Sequence, residues 1–335
     1  MDQAIVSIIT PSFNRADLVD QTAQSIFNQT SPYWEWIIVE DGSTDNSMEI
    51  LKQYVQQDNR VKLYERNRLP KGACTCRNIG VEFCSGEYVM FLDTDDIIEP
   101  FCIEQRIKAI QSDSDLAFAI FPSLMFCEKP YDMNRWWNID KETPEIIRQL
   151  HQDAICQGTG VLWTKEAFIR IGMWDAALYL WQDIDLFLRA YIQNYKYKKF
   201  FDLPPDLHNR VTDTSLSRGN FFAVEKQKSR IKVIKNAVQL LNTFGKQHLK
   251  PEVKYMLAEI ASGLIRSNLF LLAKELVSWG KEEEILNEED LRSLKKLKFI
   301  YQFKLYKLPF IKNIIDSINK RFEVPRTLGT IPYTN

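Results

Sequence analysis

The sequence predicts an α/β protein with a mostly parallel sheet flanked by helices, followed by an all-helical C-terminal extension. Three observations carry that prediction. Over the first hundred residues, short apolar runs rich in Val and Ile alternate with segments of helical spacing, as strands joined by crossover helices do. Two of those runs end in acids, EDGS at 40–43 and DTDD at 93–96. From about residue 220 the strand signals stop and helical periodicity dominates.

The elements follow in order. AIVSIITPSF (4–13) reads as a buried strand stopped by Pro11. Residues 17–28 carry Leu18, Val19, Ala23, Ile26 and Phe27 at helical spacing. WEWIIVEDGS (34–43) is the second strand, and 44–57 is a helix with Thr44 or Asp45 as its cap. VKLYER (61–66) is a short strand, 72–83 is helical, and EYVMFLDTDD (87–96) is another apolar strand. Further on, LAFAIF (116–121) and GTGVLW (158–163) read as strands among aromatic-rich loops. Helices are expected at 226–244, 251–268 and around 269–279, before an acidic stretch and a basic tail. The expected organisation is three parts: 1–105, 106–220 and 221–335.

Composition narrows the function classes. The chain has 335 residues, 45% of them hydrophobic, and a formal net charge of -1. Without a strong basic field, no nucleic-acid partner is expected. The start MDQAIVSIITPSF lacks a signal-peptide pattern, and no apolar run reaches the ~18 residues of a spanning helix. Six cysteines form no CxxC pair and three histidines lie far apart, so neither a disulfide framework nor a zinc site is expected. The expected location is the cytoplasm, peripherally on the inner face of the cell membrane if the basic tail attaches there.

In an open parallel sheet, ligands bind at the carboxyl ends of the strands, where both acid clusters fall. An Asp-x-Asp there directs two carboxylates to one side. Two hard oxygen donors suit Mn²⁺ or Mg²⁺, so Asp93 and Asp95 are the candidate metal ligands. The chain has no GxxxxGK[ST] loop and no GxGxxG after a strand, so a cation is the available means of neutralising a diphosphate.

Four pieces stand in sequence order: VSIITPSFN (6–14), IIVEDGSTD (37–45), KGACTCRNIG (71–80) and GEYVMFLDTDD (86–96), the last holding the Asp-x-Asp. In this order and spacing they closely resemble family 2 glycosyltransferases, inverting enzymes of the GT-A fold, of the type that builds bacterial cell-surface polysaccharides. The resemblance covers roughly residues 4–220. It implies that Thr10, Pro11 and Phe13 line a nucleoside pocket and that Glu40 and Asp41 contact base or ribose, Asp41 matching the carboxylate on a uracil-type base. Arg77 and Asn78 match the pair near diphosphate and ribose. Asp93, Thr94 and Asp95 match the metal and donor motif.

The resemblance also implies that Asp183 is the catalytic base, with Gly158, Thr159, Gly160, Trp181 and Gln182 on the acceptor side. Asp185 stands four residues before Arg189, and a surface ion pair is its expected role. The family's metal-binding histidine is replaced by Thr212; Arg210 and Arg218 are candidate diphosphate clamps. Trp136, Trp137, Tyr179 and Trp181 are candidate stacking surfaces for acceptor sugars, with core packing as the alternative reading. The implied function is transfer of a sugar from a nucleotide-diphosphate donor, UDP-linked, to a hydroxyl of a saccharide or lipid-linked acceptor. The alternative is a non-catalytic nucleotide- or carbohydrate-binding protein on the same fold.

The tail from 292 to 321 interleaves nine Lys or Arg, opposed by Asp316, with Leu, Ile and Phe. Pro309 divides it into two short helices. It reads either as a helical cap packed on the enzyme or as an interfacial membrane contact.

Overall fold

In the computed structural model, residues 6–211, 221–324, 326, 327 and 329–334 are described. β1 (Val6–Ser12), α1 (Val19–Phe27), β2 (Trp34–Glu40), α2 (Ser47–Gln57), β3 (Val61–Glu65), α3 (Ala73–Phe83) and β4 (Tyr88–Phe91) realise the predicted alternation. β5 (Ile97–Ile98), α4 (Cys102–Ile110), β6 (Phe118–Ile120), β7 (Ser123–Phe126), β8 (Arg135–Trp136) and α5 (Glu145–Leu150) follow. A 3₁₀ turn at Gly158–Gly160 leads into β9 (Val161–Thr164), α6 (Lys165–Arg170), α7 (Gln182–Ile192), β10 (Tyr197–Lys199) and β11 (Leu207–Arg210). The C-terminal region holds α8 (Val224–Thr243), α9 (Lys254–Arg266), α10 (Phe270–Glu282), α11 (Glu288–Gln302) and α12 (Ile311–Arg321).

The main sheet has seven strands in the order β10-β6-β9-β4-β1-β2-β3. β9 runs antiparallel to β4 and β6, and the other pairs are parallel. The sheet therefore joins strands from both sides of the expected boundary at residue 105. A second sheet, β5-β11-β7-β8, lies beyond the acid-rich loop that follows β4.

The strand period of two sorts the core into faces. Val6 and Ile8 pack with Trp36, Ile38 and the α1 residues Val19, Ala23 and Ile26 on one face. Ile9, Ile37, Val39 and Phe91 pack with Ile79 of α3 and with Phe187 of α7 on the other. Gly80 lets α3 lie against β1, since a Cβ there would stand 2.4 Å from Cγ2 of Ile9. A third cluster joins Leu188 and Ile192 of α7 to Val233, Ile234, Leu257, Ile260 and Leu264 of the C-terminal helices.

Two local expectations change. Pro11 does not stop β1, because it pairs with Val39 inside the strand. β4 pairs with β1 only as far as Ile9, so at Pro11 the strand has one neighbour and tolerates a missing N–H. α2 starts at Ser47 rather than near Thr44. The Thr44 N–H bonds Asn14 Oδ1 at 2.8 Å, and Asp45 instead accepts from the Ser47 N–H at 3.0 Å.

At the amino end of the sheet, Glu35 accepts from Ser7 Oγ at 2.6 Å, the Ser85 N–H at 2.5 Å and Lys62 Nζ at 2.7 Å. Burial would raise its pKa, but Lys62, Ser7 and Ser85 together hold it at about 2, against an ordinary 4.5. A carboxyl depressed on folding stabilises the native state above its unfolded pKa and loses that contribution as pH falls through the folded one. The stability difference between wild type and Glu35→Gln should therefore be full at neutral pH. It should shrink progressively from about pH 4.5 towards pH 2, as read by urea denaturation across that window.

Candidate active site

The carboxyl ends of β1, β2 and β4 open on one side of the sheet, and the loops leaving them are cross-linked. After β1 the chain turns at Asn14, which adopts φ 50°, and its N–H bonds Ser43 Oγ at 2.9 Å. The Arg15 N–H bonds Ser47 Oγ at 2.8 Å. Lys71 Nζ lies 3.6 Å from the centre of the Phe13 ring, leaving Phe13 half-buried at the mouth of the cleft.

Several expected contacts turn inward. Thr10 is fully buried, and its hydroxyl accepts from Trp36 Nε1 at 2.9 Å. Its side chain is therefore core, a correction to its expected place in a nucleoside pocket. Pro11, next in the strand, is half-buried. Glu40 is also corrected: its carboxylate accepts the Gly42 and Ser43 N–H groups at 2.7 and 2.6 Å and shapes the turn. Asp41 accepts from Nε of Arg66, a residue at the end of β3 that motif reading missed. A cation after a parallel strand, level with an acid on its neighbour, was the available signal.

Asn78 is corrected as well. Its amide donates to the Trp174 carbonyl at 2.8 Å and accepts the Trp174 N–H at 3.1 Å. Both ends thus serve the loop carrying Trp174. Arg77, one residue earlier, faces the cleft: Nη2 donates to Asp93, and the guanidinium lies 5.1 Å from the Trp174 ring centre. Its Nε is buried with no hydrogen-bond partner among the described residues.

The Asp93–Asp96 turn gathers three carboxylates with different partners. Asp93 meets Arg77. Thr94 is buried. Burial first, then the neighbouring Asp93, pushes the Asp95 carboxyl up, while Arg15 and Arg210 pull it back. Asp96 does not cap a helix. It accepts from Asn209 Nδ2 and from the Arg210 N–H, each at 2.9 Å, so it ties the turn to β11. Asn209 Nδ2 also reaches Thr159 Oγ1 at 3.2 Å.

Arg210, a candidate phosphate clamp, instead donates to the carbonyls of Asp95 (3.0 Å) and Cys127 (2.7 Å). His208 bonds Glu99 at 2.7 Å. Thr212 and Arg218 lie outside the described residues.

Of the residues expected on the acceptor side, Gly158 meets Asp183 at the start of α7. Its Oδ1 accepts the Gly158 N–H at 2.7 Å. Gly158 is needed there, since a Cβ would stand 2.8 Å from the Trp174 ring and 3.2 Å from Asp183 Oδ1. Burial pushes the Asp183 pKa up; the Arg77 charge and the Gly158 N–H pull it down, and Asp93 adds a smaller upward push. The net direction is upward. Asp185 pairs with Arg189 at 2.8 Å as expected, but the pair is largely buried rather than on the surface, because this side of α7 packs under the loop at Ile171–Met173.

Trp181 precedes the helix at φ 67°, an uncommon backbone for a bulky residue. Arg230 lies 4.2 Å over its ring. Gln182 Nε2 donates to the Leu178 carbonyl at 3.0 Å. Gly160, like Thr159, is buried. Of the candidate stacking rings, Tyr179 is exposed, whereas Trp136 packs edge-on against Tyr333 at 4.8 Å.

Arg77 therefore couples the two halves of the cleft electrostatically, bonded to Asp93 and acting on Asp183. Arg77→Gln should raise the Asp183 pKa, because it removes the largest influence holding it down. A carboxyl-carbon NMR titration should show Asp183 protonating at higher pH than in wild type. An unchanged titration would show that Arg77 does not act on it.

Residues 7–172 match the family model for glycosyl transferase family 2. Among curated relatives is TuaG of Bacillus subtilis (strain 168), provisionally named a teichuronic acid biosynthesis glycosyltransferase. It is 41% identical over 106 residues, which are 31% of this chain and 41% of TuaG. WfgD of Escherichia coli, a UDP-Glc:alpha-D-GlcNAc-diphosphoundecaprenol beta-1,3-glucosyltransferase, is 37% identical over 108 residues. Those residues are 32% of this chain and 42% of WfgD. The chain thus spans less than half the length of these relatives.

Among solved structures, S. aureus TarS 1-349 in complex with UDP-GlcNAc superposes with a TM-score of 0.59 at 15% identity. The alignment covers 90% of this chain and 92% of that one. At that identity the likeness speaks to the fold, GT-A with C-terminal helices.

Proposed function

We propose, for a chain that belongs to glycosyl transferase family 2, that it is an inverting glycosyltransferase of cell-surface polysaccharide synthesis. The donor is a nucleotide-diphosphate sugar, UDP-linked, and the acceptor a hydroxyl of a saccharide or lipid-linked saccharide. The observation that carries this reading is Asp183: a carboxylate held by the Gly158 N–H at 2.7 Å and influenced by the same Arg77 that bonds Asp93.

The acceptor hydroxyl gives its proton to Asp183 as its oxygen attacks the anomeric carbon. The bond from that carbon to the diphosphate breaks on the opposite face, and the nucleoside diphosphate leaves with the electron pair. Arg77 presents positive charge where the diphosphate would lie, so it opposes the charge that develops on departure. Asp41 and Arg66 offer an acceptor and donors together to a base edge. Phe13 supplies an apolar wall.

The donor set also fits a hard divalent cation, Mn²⁺ or Mg²⁺. No other residue among those described hydrogen-bonds the Asp95 carboxylate, and burial, then its neighbour Asp93, pushes its pKa up. No group of three or more His, Cys, Asp or Glu able to hold a metal occurs among those residues, so most ligands would be phosphate oxygens and water. Asp93 and Asp95 would hold the ion, which when bound would neutralise the diphosphate. A cytoplasmic location, with peripheral attachment to the inner face of the membrane through 292–321, completes the reading.

The direct test is release of nucleoside diphosphate from a panel of nucleotide sugars by the purified protein, with and without acceptor. Donor binding without hydrolysis or transfer to any acceptor would instead leave a non-catalytic binding protein. Asp183→Asn should cut transfer by at least ~10²-fold, the scale of a general base, and leave donor affinity nearly unchanged. A base must be ionised, and the Asp183 pKa is raised from 3.8. Activity should therefore fall on the acid side at a pH above that ordinary carboxylate value. Asp95→Asn should abolish the calorimetric signal of Mn²⁺ binding in the presence of UDP while the melting temperature of the free protein holds.

A further inference from the structure

The structure divides the basic tail into two faces. Leu294, Leu297, Ile300, Ile311 and Ile318 turn inward and are buried, and most of them join the C-terminal helical core. The opposite side is apolar as well. Phe299, Phe303, Tyr306, Leu308 and Phe310 are exposed, Phe303 at 58% and Phe310 at 66%. Phe299 and Phe303 stand together, their ring centres 4.7 Å apart. A cluster of large exposed apolar residues marks an interaction surface rather than ordinary scatter.

Its surroundings specify the partner. Lys295, Lys296, Lys304, Lys307 and Lys312 are exposed, and none has an acidic partner among the described residues. The acids nearest in sequence are engaged elsewhere: Asp290 and Glu289 hold Arg321, at 2.7 Å each. Asp316, exposed on α12, is the acid within the stretch. A protein partner would have to match protruding rings and flanking cations together. An anionic phospholipid surface accepts both, rings into the headgroup boundary and lysines against phosphate. No described helix is long and apolar enough to cross a membrane, so contact would be lateral.

We infer that the outward face of α11, the 3₁₀ turn Leu305–Lys307 and the start of α12 is a docking surface for an anionic membrane. This deepens the proposed peripheral attachment by naming the residues that touch lipid and those that do not. It also relates the surface to the cleft. After α12 the chain returns to the central part of the chain, where the Thr327 N–H bonds Asp153 at 2.7 Å and Pro332 bridges Arg135 of β8. The stretch that follows the docking helices is thus bound to the body that carries Asp183. A lipid-linked acceptor would then lie in the plane to which the enzyme is held.

The test is co-sedimentation of the full chain with phosphatidylglycerol/phosphatidylcholine vesicles and with phosphatidylcholine alone, at low and high salt. Wild type should bind the anionic vesicles, lose most binding at high salt, and barely bind the neutral ones. Lys295→Gln/Lys296→Gln/Lys304→Gln should weaken partitioning on the order of 10²-fold, since each cation near an anionic surface contributes a factor of about five. Phe303→Ser/Phe310→Ser should weaken it comparably, with an unchanged melting temperature because both rings are exposed. Absence of binding to anionic vesicles, or binding that neither variant weakens, overturns the inference. So does a concentration-dependent dimer that the Phe303→Ser/Phe310→Ser variant dissociates, which would assign the face to a second copy of the chain. Donor hydrolysis measured without lipid on the same variants separates this outcome from failure of the glycosyltransferase reading.

Discussion

An ion pair with no exposure to solvent, Arg106 with Asp206, holds the cleft together. Arg106 of α4 bonds both carboxylate oxygens, at 2.9 and 2.7 Å, and its remaining arm donates to the Thr159 carbonyl at 2.9 Å. Asp206 stands just before β11, whose Asn209 reaches both Asp96 and Thr159. One guanidinium thereby fixes the acid-rich turn after β4 relative to the Gly158–Gly160 turn. A buried pair is not in itself strong support for stability, because desolvating two ions costs much of what their attraction returns. Its value here is geometric: either partner without the other would be an uncompensated charge, so the two turns have one low-energy relation.

The C-terminal helices complete that frame. Ser229 of α8 accepts from the Tyr179 and Leu180 N–H groups, at 3.0 and 3.2 Å, and donates to the Leu180 carbonyl at 2.9 Å. Arg230 covers Trp181 and pairs with Glu259 of α9. The segment entering α7 is thus set by helices far along the chain, and Asp183 follows it directly. Trp181 holds its left-handed backbone because the Arg230 guanidinium over its ring and the Ser229 hydroxyl on the two preceding residues leave the loop little freedom. The helical region is part of the frame that sets the position of Asp183.

Much of this was legible in the sequence, and the failures share a cause. The alternating strands and helices, the acid-ended strands, the helix beginning near Gln182 and the Asp185–Arg189 pair follow from local pattern, which physical periodicity constrains. Thr10, Glu40 and Asn78 were misplaced because their partners are distant or face inward. Asn78 clamps Trp174 from 96 positions away. Thr10 faces Trp36 because strand alternation turns it to the core, a consequence that its place in a motif obscured. Glu40 closes its own turn, where a longer side chain than aspartate reaches back to two N–H groups. Arg66 and Arg106 went unnoticed because a lone arginine has no local signature; only the sheet order brings them to Asp41 and Asp206.

The charge around Asp93, Asp95 and Asp96 is placed as the proposed donor site would need it. Burial penalises the charged carboxylates of this turn and their mutual repulsion adds to it, as the raised pKa values of Asp95 and Asp96 record. A lysine set against Asp95 would relieve that repulsion, but it would fill the space that the proposed cation or phosphate would take. The chain instead supports the turn from behind: Asn209 and the Arg210 N–H on Asp96, and the Arg210 guanidinium on the Asp95 carbonyl rather than its carboxylate. Stability is supplied at the opposite end of the sheet, where Glu35 is neutralised by Lys62 and by hydrogen bonds at the strand starts. Carboxylates are thus fully engaged at the amino end, while in the turn at the carboxyl ends Asp93 and Asp96 have partners and the raised pKa of Asp95 records burial and a like-charged neighbour.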